Sequence, residues 1–206
     1  MKIILIIILM FGVAESRTAV VFGTNYSTIS SVNDWEDDWE DDGIDVDLEY
    51  FMGGRIGLES ISKNLITGFT YSQRGFSMTG QSEYDASEAS ITFIIDYLTA
   101  YGLIQVPIGS LALLAGGEAG YWLSTEMTAE IDGVEVTEEV DDDDWEEAGG
   151  HTLDYGIVLG AKFDVSPKLS AVGTCYFGLP EWGSDDDYGI DYKNRGFQIY
   201  LSYAIM

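Results

Sequence analysis

The most regular feature of the sequence is an alternation of apolar residues with small or polar ones. At positions 153–163 the odd positions are apolar, and residues 111–123 and 195–205 alternate in the same way. The even positions of the first stretch are Asp154, Gly156, Val158, Gly160 and Lys162. Successive side chains of a strand point to opposite faces, so each segment predicts a β-strand with one apolar and one small or polar face.

The length and number of such segments indicate where they fold. An ordinary strand has about 5–6 residues, whereas a tilted strand needs roughly 9–11 to cross a bilayer, and the clearest segments reach that length. Apolar residues suit the lipid outside a narrow barrel, and small or polar residues suit its interior. The segments are residues 18–27, 49–59, 65–76, 91–106, 111–124, 152–164, 168–179 and 194–206.

An even number of strands closes a bacterial barrel with both chain ends on one side. We therefore predict an all-β fold, an eight-stranded antiparallel up-and-down transmembrane β-barrel. The fourth segment is apolar on both faces, so its register stays open. A soluble exported β-sandwich or closed barrel is the alternative with the same alternation.

The connections between the segments alternate in length and charge. Residues 60–64, 107–110 and 165–167 are short connections, and four others are long and acidic. Of the 36 carboxylates, nine lie in 27–48, three in 77–90, twelve in 125–150 and five in 180–193. Short turns on one side and long loops on the other are typical of outer-membrane barrels, so we expect the acidic loops to face outward.

The first sixteen residues have the three parts of a secretory signal peptide. Lys2 supplies a positive start, residues 3–13 are apolar, and the small residues Ala14 and Ser16 precede a cut that leaves Arg17 first. The apolar run is shorter than the roughly 20 residues of a membrane-spanning helix. We predict a signal peptide at 1–16 and one barrel domain at 17–206, in the outer membrane of a Gram-negative bacterium.

Overall charge and cysteine content narrow the function classes. The net charge of −27 would repel nucleic acid. The single cysteine, Cys175, excludes an internal disulfide and falls on a predicted lipid face, where it acts as a small apolar residue.

A set of short motifs follows the predicted strands in order. They are Phe22-Gly23-Thr24-Asn25-Tyr26-Ser27, Phe69-Thr70-Tyr71-Ser72-Gln73-Arg74-Gly75, Asp96-Tyr97-Leu98, Leu113-Leu114-Ala115-Gly116-Gly117-Glu118-Ala119-Gly120-Tyr121, Asp154-Tyr155-Gly156-Ile157-Val158-Leu159-Gly160-Ala161, Pro167-Lys168-Leu169-Ser170 and Asn194-Arg195-Gly196-Phe197-Gln198-Ile199. With these motifs the chain resembles the small outer-membrane β-barrel proteins of the PorT type, which share their architecture with the outer-membrane protein A barrel. The resemblance covers nearly the whole mature chain.

The resemblance implies a barrel without catalytic residues, and one branch of that family serves in protein secretion and gliding. Two positions depart from the family pattern. Thr99-Ala100-Tyr101 replaces the usual Glu-Ile-Pro, and Met206 stands where an aromatic residue is usual.

The acidic loops contain a possible metal site. Asp38, Glu40, Asp42 and Glu49 fall at positions 1, 3, 5 and 12 of an EF-hand calcium loop, although no helices flank them. Three interpretations stay open: calcium bound by these residues, loose association of calcium or magnesium with the lipopolysaccharide layer, and a solvated acidic surface.

Four charged residues point into the predicted barrel by the alternation: Arg55, Glu118, Asp154 and Lys162. Charges in a narrow lumen must pair, so we predict an ion-pair network that fills the interior. Eight strands leave room for side chains only, which disfavours a general pore. A proton or ion path through the network is the alternative.

Catalysis has little support in the sequence. His151 is the only histidine, and Ser124 or Ser184 could approach it, but no spacing indicates a catalytic triad. We predict a non-enzymatic, monomeric outer-membrane barrel without a tightly bound cofactor, whose acidic loops contact cations, the envelope or an extracellular partner. The alternatives are a component of a secretion or envelope-assembly system and, as a third class, a lipid-modifying enzyme.

Overall fold

The structure is a computed structural model that describes residues 16–30, 44–82, 88–131, 134–141, 145, 151–180 and 193–205. The predicted signal peptide lies outside these residues except for Ser16. No helix in this part of the chain is long and apolar enough to cross a membrane.

Antiparallel strands make up almost all of the described chain. They are β1 (Arg17–Ser30), β2 (Ile44–Ile61), β3 (Leu65–Ser82), β4 (Glu88–Ile108), β5 (Leu111–Ile131), β6 (Val134–Val140), β7 (Leu153–Asp164), β8 (Leu169–Gly178) and β9 (Lys193–Ala204).

All of these strands except β6 close into a ring. β1 pairs with both β2 and β9, and the β4–β5 and β5–β7 pairs complete the circuit. A row of paired residues followed once around the ring from Arg17 returns to β1 at Ser27, ten residues further along. This stagger tilts the strands by about 40° and leaves a lumen just wide enough for side chains. The prediction of an eight-stranded antiparallel barrel is confirmed.

The outer face of the ring is apolar. In β7 the even positions 154–158 are buried, whereas Leu153, Tyr155, Ile157 and Leu159 are 46–49% exposed. In β4, whose register the sequence left open, Tyr97, Tyr101 and Leu103 point inward, and Leu98 and Ile104 point outward. A continuous apolar band around a closed barrel requires contact with lipid instead of water.

An aromatic girdle marks one edge of this band. Ten residues of a strand tilted in this way rise by about 25 Å, the height of an outer-membrane lipid belt. The outward side chains of the girdle are Tyr26, Tyr71, Tyr121, Tyr155, Phe177 and Phe197. The protein is therefore an outer-membrane β-barrel, and we expect its short turns to lie on the periplasmic side, as is typical of such barrels.

On one side of the barrel the strands continue beyond the girdle. β2 to β5 contain 18 to 21 residues, whereas β7, β8 and β9 contain 10 to 12. The extra residues reach roughly 20 Å past the lipid belt. β6 pairs with the last residues of β5 and widens this part into a five-stranded sheet. We call it the outward extension, and its residues are 44–50, 75–82, 88–95, 124–131 and 134–140.

Two β-bulges lie at the base of the outward extension. The β2–β3 register shifts between Tyr50 and Arg55, and the β4–β5 register shifts between Asp96 and Tyr97. Each bulge adds one residue to a strand and therefore exchanges its two faces. In β5 the outward residues change from odd positions, such as Tyr121, to even positions, such as Glu126.

The hairpin of β5 and β6 differs from the sequence prediction, which placed one long connection over residues 125–151. Residues 134–140 contain three glutamates, which favour a solvated loop on composition, yet their valines alternate with polar residues. This period of two allows the segment to pair with β5 as an edge strand.

The close approach of β4 and β5 provides a test of the ring geometry. A Cβ at Gly116 would lie 2.0 Å from the Gly102 carbonyl oxygen, whereas a Cβ at Gly102 meets nothing within 4 Å. We expect Gly116→Ala to lower the free energy of unfolding by about 1–3 kcal/mol because the two backbones must separate. Gly102→Ala is the control and should change it by less than about 0.5 kcal/mol. Urea unfolding in phospholipid vesicles measures both, and equal effects would contradict the described packing.

Candidate functional site

The lumen contains a network of buried ion pairs centred on Glu118 of β5. Arg55 of β2 lies 3.0 Å from one carboxylate oxygen of Glu118, and Arg74 of β3 pairs with the other. Arg74 also lies 2.6 Å from Asp154 of β7. The side chains of these four residues are at most 3% exposed. The network therefore ties together four strands that come from distant parts of the sequence.

Neutral side chains complete the hydrogen bonding of these carboxylates. Tyr176 and Asn194 donate to Asp154 at 2.8 and 2.9 Å. Gln198 donates to Glu118 at 3.1 Å and accepts a hydrogen bond from Arg55 at 2.6 Å. A charge in a low-dielectric interior is tolerated only with such partners.

Tyrosine rings flank the two guanidinium groups. Arg74 lies 4.2 Å from the ring centroid of Tyr176, and Arg55 lies 4.9 Å from that of Tyr101. Cation–π contacts of this kind stabilise a desolvated guanidinium. They also fill the space between the ion pairs, so the lumen is packed with side chains at the level of the network.

The predicted lumen residues do not all come together. Arg55, Glu118 and Asp154 belong to the network, but Lys162 lies nearer the periplasmic end and pairs with Asp164 at 3.3 Å. Sequence reasoning missed Arg74 and also Glu59, which is fully buried and accepts a hydrogen bond from Tyr101 at 2.8 Å. The same alternation finds both, because Arg74 is in phase with Ser72, and Glu59 is in phase with Arg55.

Apolar layers close the network at both ends. On the periplasmic side, Ile66, Leu103, Leu114 and Val172 belong to one buried cluster. On the outer side, the separate cluster consists of Ile95, Tyr97, Trp122 and Trp145. Charged or hydrated species cross such layers only at a high desolvation cost. The described lumen therefore has the structure of a plugged barrel.

Trp145 extends this outer plug. It is 5% exposed, and its ring stacks on Trp122 with a centroid separation of 6.0 Å and an interplanar angle of 8°. The indole of Trp122 donates to Thr125 at 2.8 Å. Trp145 therefore belongs to the apolar layer at the outer end of the network.

The two faces of the outward extension have the opposite polarity to those of the strands in the lipid belt. Its outer face is acidic, with exposed carboxylates at Asp47, Glu49, Glu126, Glu130, Glu135 and Glu139. Its inner face is mainly apolar and includes Leu48, Phe76, Met78, Ile91, Phe93 and Met127. The rings of Phe76 and Phe93 stack at 4.9 Å. None of the ranges that form the extension contains Lys or Arg.

Two edges of the outward extension lack a neighbouring strand within the described residues. β6 pairs only with β5, and residues 44–50 of β2 pair only with β3. An unpaired edge presents backbone donors and acceptors to other chains, and charged side chains limit unspecific pairing there. The glutamates of β6 lie along one of these edges.

Of the predicted metal ligands, only Glu49 lies in the described residues, on the outer face of β2. Asp38, Glu40 and Asp42 lie outside them. Among the residues that are described, no group of three or more His, Cys, Asp or Glu residues is arranged to hold a metal ion. Calcium or magnesium binding by the loops stays a prediction.

The structure places the residues that the sequence offered for catalysis as follows. Ser124 of β5 donates to Asp96 at 3.3 Å, and His151 is exposed just before β7. Ser184 lies outside the described residues. Cys175 of β8 is partly buried and outward, as predicted for a lipid-facing position.

Comparison with known proteins finds likeness in structure only. No family model and no curated protein matches the chain. Similar solved structures include Neisserial surface protein A (8% identity, 91% of this chain, 97% of that chain, TM-score 0.49). Another is Ail, the attachment invasion locus protein of Yersinia pestis, with 13% identity over 92% of this chain and 98% of that chain and a TM-score of 0.49. A third is the outer membrane protein OprG from Pseudomonas aeruginosa, with 9% identity over 91% of this chain and 95% of that chain and a TM-score of 0.40.

These identities and TM-scores carry no inference about function. The fold assignment rests on the strand pairing of the chain itself, and membership of the PorT-type family stays a prediction.

The shared carboxylate of the network provides a test of its role. Glu118→Gln leaves Arg55 and Arg74 buried without their common counter-charge, so we expect the free energy of unfolding to fall by about 3–5 kcal/mol. Glu126→Gln, a matched change at an exposed position of the same strand, should alter it by less than about 1 kcal/mol. Urea unfolding in phospholipid vesicles, followed by tryptophan fluorescence, measures both. A similar small effect for the two variants would show that the network does not stabilise the barrel.

Proposed function

We propose that this outer-membrane barrel is a non-enzymatic surface protein whose outward extension binds a positively charged partner outside the cell. The observation that carries the proposal is the acidic outer face of a sheet that stands beyond the lipid belt and contains no Lys or Arg. Loops without regular structure could also be acidic, but here the carboxylates are arranged on paired strands. A sheet presents them as rows with fixed spacing.

The arrangement of these carboxylates favours a role in binding a partner over a role in solubility alone. Along β5 and β6, Glu126 pairs with Glu139 and Glu130 pairs with Glu135, so like charges lie directly opposite each other on one face. Cross-strand pairs of like charge destabilise a sheet. A cationic partner that lies across both strands relieves this repulsion, and the relief adds to the free energy of binding.

The plugged lumen supports the same proposal. The ion-pair network and the apolar layers at both ends suit a rigid support and disfavour transport. The barrel then serves to hold the outward extension at a fixed height above the membrane. Partners of this class are basic segments of extracellular or envelope proteins, which the acidic face attracts over about a Debye length of 8–10 Å.

Photo-crosslinking on intact cells tests the proposal. We expect a benzophenone amino acid at Thr137, on the outer face of β6, to give a discrete protein adduct, and one at Thr174, inside the lumen, to give none. Replacing Glu126, Glu130, Glu135 and Glu139 by Gln should remove the adduct, and high salt should weaken it.

A protein adduct that persists in the variant with four Gln replacements, or the absence of any protein adduct from Thr137, would contradict the proposal. An adduct with lipopolysaccharide that disappears with EDTA would instead assign the face to divalent-cation bridging. Normal heat-dependent mobility in gel electrophoresis establishes that each variant is folded.

A further inference from the structure

The periplasmic end of the barrel contains a cavity of about 730 Å³. Buried side chains of the lumen, including Gln105, Lys162 and Ser170, form its inner part. The turns after β2 and β7 form its rim. The apolar layer that includes Leu103 and Leu114 separates it from the ion-pair network. The cavity is therefore a site distinct from both the network and the outward extension.

The charge of this cavity is opposite to that of the chain as a whole. Four of the nine Lys and Arg residues line it, namely Arg17, Lys63, Lys162 and Lys168. Asp164 is the only carboxylate among its lining residues, in a protein that contains 36. Such a concentration of cations in a partly enclosed space, with low-dielectric walls, focuses a positive potential.

The cationic groups are held in different ways. Arg17 donates one hydrogen bond to the Pro167 carbonyl at 3.1 Å, which positions its guanidinium at the rim. Lys162 is 7% exposed and lies 3.3 Å from Asp164, which also accepts a hydrogen bond from Ser170 at 2.7 Å. The site is therefore partly organised by contacts within the protein.

Two further cations have no such partner. Within the described part of the chain, the side-chain amines of Lys63 and Lys168 make no hydrogen bond or ion pair. Ser62 and Ser166 place hydroxyl groups beside them at the rim. The Ser62 hydroxyl already donates to the Leu65 carbonyl at 3.0 Å, whereas the Ser166 hydroxyl only accepts, from the backbone of Lys168 and Leu169. The two amines and the Ser166 hydroxyl therefore supply the donors for an anion with several oxygen atoms.

The level of the cavity in the membrane indicates which anion this is. Exposed apolar residues of the belt, including Leu65, Ile108, Leu111 and Phe163, lie on the outside at the same height. This is the boundary at which the phosphate groups of inner-leaflet phospholipids lie. We propose that the periplasmic cavity binds a phosphate group, either of a phospholipid head group or of a soluble phosphate ester. Its volume is within the range of small-molecule sites.

Protein extracted from outer membranes in a neutral detergent provides the test. We expect native mass spectrometry to detect one retained anionic phospholipid, and Lys63→Gln with Lys168→Gln to reduce its occupancy about tenfold. Titration with glycerol 3-phosphate should shift the amide resonances of Ser62, Ser166 and Ser170 in the original protein, and about ten times more ligand should be needed in the double variant.

The matched control is Lys193→Gln with Arg195→Gln, which changes the net charge equally at the opposite end of β9. It should leave both readouts unchanged. Lys63→Arg with Lys168→Arg should retain binding, which separates loss of charge from loss of folding.

Each result assigns or removes the site. Retained lipid identifies the head group as the source, whereas shifts with glycerol 3-phosphate but no retained lipid identify a soluble ester. The absence of both, or an equal loss in the Lys193 and Arg195 control, would overturn the proposal. None of these readouts depends on the partner of the outward extension.

Discussion

The structure depends on one constraint, that no backbone donor or acceptor can stay unpaired within hydrocarbon. The pairing of β1 with β9 satisfies it, because this pair removes the last open edge of the eight-stranded ring. Closure with a ten-residue stagger fixes the tilt, and the tilt fixes a lumen that side chains can fill. The inward small residues and the outward apolar residues follow from that geometry.

The passage of the strands from lipid into water explains the architecture of the outward extension. Within the lipid belt the strands are apolar outside and polar inside, whereas the outward extension is acidic outside and mainly apolar inside. The bulges in β2 and β5 lie where the solvent changes, and each exchanges the faces of its strand. The same two strands can therefore meet lipid with one set of positions and water with the other. The ion-pair network below joins β2, β3 and β5, three of the strands that form the extension.

Whether a strand could be predicted from the sequence depended on whether its two faces keep the same surroundings along its whole length. β7 meets lipid on one side and lumen on the other over its whole length, so a period of two describes it fully. In β5 the bulge at Leu123 moves the outward positions from odd to even residue numbers. A search for strict alternation therefore ends the predicted strand at this point, although the strand continues to Ile131. The pairing of Lys162 with Asp164 depends on height in the barrel, which requires the register between strands. The basic periplasmic cavity is invisible in sequence because distant turns form it.

The most direct test of the account is the accessibility of spin labels along β7 and β5 in lipid vesicles, in a Cys175→Ala background. Labels at positions 157 and 159 should collide with oxygen dissolved in lipid, and a label at 158 should be shielded from both oxygen and an aqueous nickel complex. Labels at 126 and 128, past the bulge, should collide with the nickel complex. Access of nickel to positions 157 and 159 would contradict the seating of this barrel in a membrane.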